Sequence, residues 1–361
     1  MAHLDDELQK SLRAAHDKLA ARERKSAPKD HKKTELVSIT YEEGTRPFSD
    51  VFGFVPPSGM DHAVPSFSVD SWHEDVQRYI PEVDFDYVLP PTETEEAVVA
   101  VIQNKPLLIT GKKGSGKTTL QQQICARLCI PWFRVNCRRD MESSSFFGTP
   151  DLTAGNLGWI DGPVPLFGTH GGMVTMDEVS ATPSGISLAL QSPLERKSNG
   201  TGGPIYIPEK PKGERYMHPH KWFRLGATDN TQLQGDTTGR YAGTNVQNEA
   251  LIDRFLTSIK LDYLSREHET AVIKSRVSRI PEDWLSRMLD VADLVRRAYD
   301  SGNLNMTISP RGLISWAEDA VYWGDLARSF RLSFANKLIE DDLKQVVEIF
   351  LKATAIDLNK V

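Results

Sequence analysis

The chain has 361 residues, 39% hydrophobic and 25% charged, with a formal net charge of -6. This leaves room for more than one ordinary globular domain. The acidity removes the electrostatic drive for non-specific nucleic-acid binding, and no apolar run approaches the ~20 residues of a membrane span.

The acidic opening "MAHLDDELQK" lacks an apolar signal core, so the expected location is the cytoplasm. Residues 4–24 place Leu4, Leu8, Leu12 and Leu19 among charges, which predicts a modest amphipathic helix. The polar, mostly basic run "RKSAPKDHKK" reads as a tether. Residues 46–91 are Pro-rich and irregular, and "VPSFSVD" and "YIPEVDFDYVLP" suggest extended segments laid over a larger body. From residue 92 the pattern alternates. "TEEAVVAVIQN" predicts a helix, "PLLIT" a buried strand and "KTTLQQQICARLC" a second helix. "PWFRVNC", "GGMVTMDE" and "KWFRLGATDN" each predict a buried strand with a polar end. Such alternation implies a parallel sheet covered on both faces, with its ligand crevice at the carboxyl ends of the strands. After about residue 264 only helical patterns follow, in "HETAVIKSRV", "EDWLSRMLDVADLVRRAYDSG", "SPRGLISWAEDAVYWGDLA" and "EDDLKQVVEIFLKAT". The expected organisation is an N-terminal helix and linker (1–45), an extended segment (46–91), an α/β domain (92–264) and a small helical domain (265–361). Cys125 and Cys129 fall on one expected helix with Cys137 close behind. All three read as buried reduced thiols, with no further metal ligands evident nearby.

"GKKGSGKTTL", residues 111–120, fits G-x-x-x-x-G-K-[ST] between a strand and a helix. Gly111, Gly114 and Gly116 let backbone amides curl around phosphate oxygens, with Ser115 inside the turn, and the following helix adds its dipole. Lys117 is placed to reach the β and γ phosphates and Thr118 to ligate Mg²⁺, with Thr119 one position further on the same helix. Asp177 and Glu178 end an apolar strand. The first suits the Mg²⁺ shell and the second the activation of water. Asn230 ends a further strand, where an amide can position that water. Arg254 in "ALIDRF" and Arg311 in "ISPRGL" are candidates for stabilising charge on a transferring phosphate.

In this order the pieces resemble the AAA+ ATPases, and within them the MoxR/CobS branch, nearest the CobS family of aerobic cobaltochelatase ATPase subunits. The residues that carry this are "VFGF", "YIPEVDFDYVL", "ARLCIPWFRVNC", "DGPVPLF", "FRLGATDNT", "GDTTGRYAGT", "LIDRF", "ADLVRRAYDSGNL", "ISPRGLISWAEDA" and "FRLSFANK", spread over roughly residues 50 to 350. The resemblance implies an AAA+ P-loop core followed by a helical lid, using ATP and Mg²⁺. Lys117 and Thr118 resemble the Walker A pair, Asp177 and Glu178 Walker B, and Asn230 sensor 1. Arg254 resembles an arginine finger acting on a neighbouring subunit, and Arg311 sensor 2. It further implies a ring, typically a hexamer, and a CobT-like partner with an integrin-type metal-binding domain. The implied work is cobalt insertion into a corrin precursor; a MoxR-type remodelling ATPase with another protein client and a nucleotide-dependent scaffold are the other readings. Two stretches depart from the family pattern: an insertion around 140–168, and a hairpin around 203–222 that carries His218 and His220, read as surface loop residues.

Overall fold

The computed structural model describes residues 44–153, 156–198, 200–230 and 249–358. The expected N-terminal helix, the basic tether and "GDTTGRYAGT" lie outside them. In chain order the strands are β1 (Thr45–Pro47), β2 (Ala63–Pro65), β3 (Leu107–Gly111), β4 (Trp132–Asn136), β5 (Gly148–Thr153), β6 (Asn156–Asp161), β7 (Gly172–Asp177), β8 (Ile205–Tyr206), β9 (Tyr216–Met217), β10 (Phe223–Asp229) and β11 (Thr257–Leu261). The helices are α1 (Phe48–Phe52), α2 (Glu74–Gln77), α3 (Pro91–Ile102), α4 (Lys117–Arg127), α5 (Ser144–Phe147), α6 (Pro163–His170), α7 (Ser184–Ala189), α8 (Gln191–Leu194), α9 (Glu249–Ile252), α10 (Arg266–Arg276), α11 (Glu282–Asp300), α12 (Pro310–Trp323), α13 (Leu326–Ser333) and α14 (Glu340–Thr354).

The chain divides into two compact units. The first holds Leu89–Thr110 and Lys117–Lys260 together with the segment before Asp84. The second holds Asp84–Val88, Gly111–Gly116 and the chain from Leu261 onward.

The first unit is built on a sheet of order β11-β3-β10-β7-β4, in which β10 pairs parallel with β3 and β7, and β7 with β4. This is the α/β arrangement that the alternating pattern predicts. Register brings the polar strand ends level, because Asn136 stands opposite Asp177 and Asp229 opposite Thr110. The sheet positions Val174, Met176, Leu225 and Ala227 are buried, and Phe146, Phe167 and Leu190 close over the same core. A polar line crosses this apolar interior. The Trp132 indole donates to Thr175 Oγ1 (2.8 Å), Thr175 donates to Gln121 Oε1 (2.6 Å), and Gln121 Nε2 donates to the Ala227 carbonyl (3.0 Å). Every member is satisfied, so the line fixes the rotation of α4 on the sheet.

Two expectations change. Cys129 is half-buried rather than buried, and lies beyond the end of α4 in a left-handed backbone conformation (φ 54°), because the helix stops at Arg127. His218 is exposed as expected, but His220 is half-buried. Its N–H donates to the Gly168 carbonyl (2.7 Å) and its Nδ1 accepts from the Trp222 N–H (3.1 Å), so it shapes the turn into β10. The cysteines are free thiols. Burial raises the pKa of all three, that of Cys137 to about 12, which makes them poor nucleophiles.

The second unit is helical and has its own core, centred on Met288, Val295, Trp316, Phe330 and Phe350. Its α11 carries Arg296, whose guanidinium makes a two-pronged pair with Glu269 of α10 (2.8 and 2.7 Å). Its Nε donates to the Ile308 carbonyl (3.1 Å), and the group lies 4.2 Å over the Tyr263 ring. The pair therefore holds the residue just before Ser309, the N-cap of α12. Both partners are almost fully enclosed, Arg296 at 7% and Glu269 at 3% exposure. Removing one charge strands the other in a poorly solvating interior. Arg296→Met is expected to destabilise the helical unit by about 3–5 kcal/mol, and Arg296→Met with Glu269→Met to recover most of that loss. Denaturant unfolding of the three proteins checks this; a double variant no more stable than the single one would refute it.

Candidate nucleotide site

The turn between β3 and α4 is shaped by two glycines in the left-handed region, Gly114 (φ 77°) and Gly116 (φ 92°). A Cβ on Gly114 would meet Ser309 Cβ at 2.5 Å, so a side chain there is excluded by crowding as well as by backbone conformation. The same turn is held from its own side by Lys112 on Asp300 (2.7 Å) and by the Tyr263 hydroxyl donating to the Lys113 carbonyl (3.2 Å). Ser115 Oγ is buried and has no hydrogen-bond partner among the described residues. A buried hydroxyl on a glycine turn that feeds a helix N-terminus suits the oxygens of a phosphate. Thr119, half-buried, follows on α4.

The other candidates converge on the ends of β7 and β10. Thr118 Oγ1 and Thr228 Oγ1 both donate to Asp177 Oδ1, each at 2.5 Å, and Arg134 on β4 pairs with Asp177 Oδ2. The Cys137 N–H donates to the Asp177 carbonyl (2.9 Å). Glu178, the next residue, is exposed and takes a left-handed backbone (φ 58°, ψ 52°). For a residue with a Cβ this conformation costs roughly 1–2 kcal/mol. It turns the chain sharply out of the strand, so that Asp177 stays buried while its neighbour faces solvent. The Glu178 N–H donates to Thr228 Oγ1 (3.2 Å), so one hydroxyl orders both carboxylate-bearing residues.

Asn230 joins the two halves. Lys117 Nζ donates to its Oδ1 (2.8 Å), and its Nδ2 donates to Glu178 Oε1 (3.2 Å). Lys117 is 7% exposed, and burial lowers its pKa to about 8 against the pull of Asp177, Asp229 and Glu178. The donor set of Thr118 hydroxyl and Asp177 carboxylate is all oxygen, which suits a hard divalent ion such as Mg²⁺.

The structure thus brings Lys117, Thr118, Asp177, Glu178 and Asn230 together. Arg254 stands on another element, in the turn between α9 and β11, with buried Leu251 and Phe255 anchoring the chain around it. Arg311 is exposed in the first turn of α12, where Pro310 starts the helix and Ser309 Oγ accepts the Gly312 N–H (3.2 Å). Arg134, Thr228 and Asp229 are the members that motif reading missed. Arg134 has no motif of its own; the available signal is its strand position, two residues before the polar end of β4. Asp229 is wholly buried and accepts the Ser180 N–H (3.3 Å).

A glycine turn between strand and helix, a helix that starts on lysine, and paired acids at the end of another strand of the same parallel sheet define the P-loop nucleoside-triphosphatase class. The profile of the AAA domain (dynein-related subfamily) matches residues 106–255. The chain is 31% identical to the aerobic cobaltochelatase subunit CobS of Sinorhizobium sp., over 86% of this chain and 91% of that one. It is 24% identical to the denitrification regulatory protein NirQ of Pseudomonas aeruginosa, over 65% of this chain and 84% of NirQ. It is 25% identical to midasin of Giardia intestinalis over 62% of this chain, which is 4% of midasin. The chain belongs to the AAA+ ATPases, in their CobS-like branch.

The lowered pKa of Lys117 sets a pH dependence. Below about 8 the free protein holds the ammonium charged, and phosphate binding costs no proton uptake. Above it the lysine must regain a proton to hold phosphate, so affinity is full at lower pH and falls as pH rises. ATP affinity measured in chelator is expected to weaken steadily between about pH 8 and 10, and in Lys117→Met to be weak and nearly flat over that range. A wild-type affinity that does not change across that window would refute the assignment.

Proposed function

We propose that this chain is a ring-forming ATPase that couples ATP hydrolysis to remodelling of a partner complex, as a CobS-like motor for cobalt insertion into a corrin precursor. The observation that carries the reading is the hydrogen-bonded line from Lys117 through Asn230 to Glu178, beside the Thr118–Asp177 pair. Through one amide it joins a lysine suited to hold phosphate and a carboxylate suited to activate water, which supports the reading. A scaffold that only bound nucleotide would have no use for the second of these.

In this proposal the turn from Gly111 to Gly116, with Ser115, wraps the phosphates and Lys117 holds the β and γ groups. Thr118 and Asp177 would hold Mg²⁺, which when bound neutralises charge on the phosphate oxygens. Glu178 accepts the proton of the attacking water, and Asn230 fixes the direction of that carboxylate. Arg254 acts as the finger on a neighbouring subunit's nucleotide in a ring, proposed to be a hexamer, and Arg311 as the sensor in the helical lid. The work takes place in the cytoplasm, without membrane or nucleic acid. Among the described residues no helix is long and apolar enough to cross a membrane.

The proposed partner is CobT-like, with an integrin-type metal-binding domain. Its docking elements are the insertion at 140–168, with the β5–β6 hairpin, and the hairpin at 203–222, whose exposed Tyr206 and Tyr216 rings lie 4.6 Å apart. These are also the stretches that depart from the family pattern. Together with the likeness to NirQ over most of its length, they favour a different protein client as the second reading.

Three measurements test the proposal. Glu178→Gln keeps the side-chain shape and removes the base. It should retain ATP binding and lose hydrolysis by at least about 100-fold; loss of binding instead would refute the role. Arg254→Ala should lower turnover, by up to the 10³–10⁵ that arginine fingers contribute elsewhere. Mixing it with Lys117→Ala subunits should restore activity, because the second donates Arg254 to the first. No rescue in confirmed mixed rings would place Arg254 in cis or outside the chemistry. Finally, the purified chain with ATP, Mg²⁺, Co²⁺ and a corrin precursor should hydrolyse ATP without inserting metal until partner subunits are added. Product formed by the chain alone would overturn the motor reading.

A further inference from the structure

Away from the nucleotide residues, three side chains of the first unit meet at one point. They are His73 at the N-cap of α2, Asp75 in its first turn and His170 at the end of α6. His73 Nδ1 lies 3.2 Å from Asp75 Oδ2, and His170 Nε2 lies 3.6 Å from the same oxygen. The two imidazoles are stacked, with centroids 4.0 Å apart and planes 19° from parallel.

His73 Nδ1 also lies 3.4 Å from the Asp75 N–H, a long contact that a metal would replace. Metal binding takes the neutral rings with their lone pairs on His73 Nδ1 and His170 Nε2. The three ligand atoms lie within 4.8 Å of one another, so side-chain rotations that unstack the rings bring both lone pairs and the carboxylate to one ion. The spacing fits. Metal–ligand bonds of about 2.0–2.2 Å in a tetrahedron put neighbouring ligand atoms about 3.3–3.6 Å apart. The chemistry fits as well, since two imidazoles and one carboxylate select zinc and its neighbours over Mg²⁺ or Ca²⁺.

The ligands are held by the fold around them. Trp72, next to His73, is buried, and its indole donates to the Cys129 carbonyl (2.7 Å). Gln77 Nε2 returns to the Trp72 carbonyl (2.9 Å), closing the turn that carries His73 and Asp75. On the other side Gly171 ends α6 with φ 85°, and a Cβ there would strike Trp72 and the His220 ring. His170 is therefore presented on a fixed helix end against a fixed turn.

We infer that His73, Asp75 and His170 form a zinc-class divalent metal site that clips the segment before α3 onto the α/β unit, with a remaining coordination position open to water. Both His73 and Asp75 are about half exposed, which gives the ion access and leaves room for that water. Three protein ligands and an open position are a common zinc arrangement. None of the nucleotide-site contacts described above involves them, so the role is to tie two distant stretches of chain together. The loop between those stretches is long, so closing it with a metal restricts the unfolded chain.

The test uses the full chain without an affinity tag, stripped by chelator and kept in excess Mg²⁺ so that the all-oxygen site is filled. Zn²⁺ is titrated calorimetrically against a competing chelator. Co²⁺ is followed by the visible absorption that marks low-coordinate N/O sites. His73→Asn keeps an N-cap residue and removes the imidazole; His170→Gln removes the other. The wild type is expected to bind one Zn²⁺ per chain. Each variant should lose at least about 100-fold in affinity, beyond the 10–100-fold typical of losing only an outer-shell partner. Zn²⁺ should raise the melting temperature of the wild type and not of the variants, while their ATP turnover stays at the wild-type rate as a check on folding. Absence of stoichiometric Zn²⁺ binding by the wild type, or unchanged affinity in variants that still hydrolyse ATP, would overturn the site.

Discussion

The carboxylate of Asp177 is the constraint around which the α/β unit is arranged. One oxygen takes hydroxyls from Thr118 on α4 and Thr228 on β10, and the other takes the Arg134 guanidinium from β4. A buried carboxylate needs this many donors, because each unsatisfied lone pair in the interior would cost the desolvation it suffered. Meeting that need brings a helix and two neighbouring strands to one atom pair. The strand register does the rest. With Asn136 level with Asp177 and Asp229 level with Thr110, the sheet ends in a row of polar groups at the edge where the glycine turn emerges. The left-handed turn at Glu178 then separates two adjacent acids into one buried and one exposed.

The helical unit shows the same logic in a second place. Glu269 and Arg296 satisfy each other in an apolar surround, and the leftover donor of Arg296 reaches Ile308. That contact determines where the chain enters α12, and so where Ser309 caps the helix and Arg311 projects. Lys112 and Lys113 on the glycine turn are tied to Asp300 and Tyr263 of this same unit. Those bonds tie the Gly111–Gly116 turn to the helical unit.

What the sequence made legible depended on contiguity. The glycine turn, Lys117 and Thr118 are adjacent residues on a strand–turn–helix, and Asp177 and Glu178 end an apolar run, so each could be read within a short window. The α/β alternation was legible for the same reason, and so was the helical character of the chain after residue 264. Arg134, Thr228 and the line from Trp132 through Thr175 to Gln121 were not. Their meaning comes from which strand lies beside which, and the order β11-β3-β10-β7-β4 places sequence-distant residues side by side. His220 looked like a loop residue because its run carries Pro and charge, whereas its structural role rests on two backbone partners invisible to pattern. His73, Asp75 and His170 were not legible either, because their spacing matches no local metal signature.

The central claim is that Asp177 is poised, by the groups that hold it, to share a hard cation with a nucleotide on Lys117 and Thr118. ATP affinity measured with and without Mg²⁺, in the wild type and in Asp177→Asn, tests this most directly. The account predicts that Mg²⁺ tightens ATP binding by the wild type and has little effect on the variant, whose affinity in chelator stays near the wild-type value. The same Mg²⁺ enhancement in both proteins would contradict it.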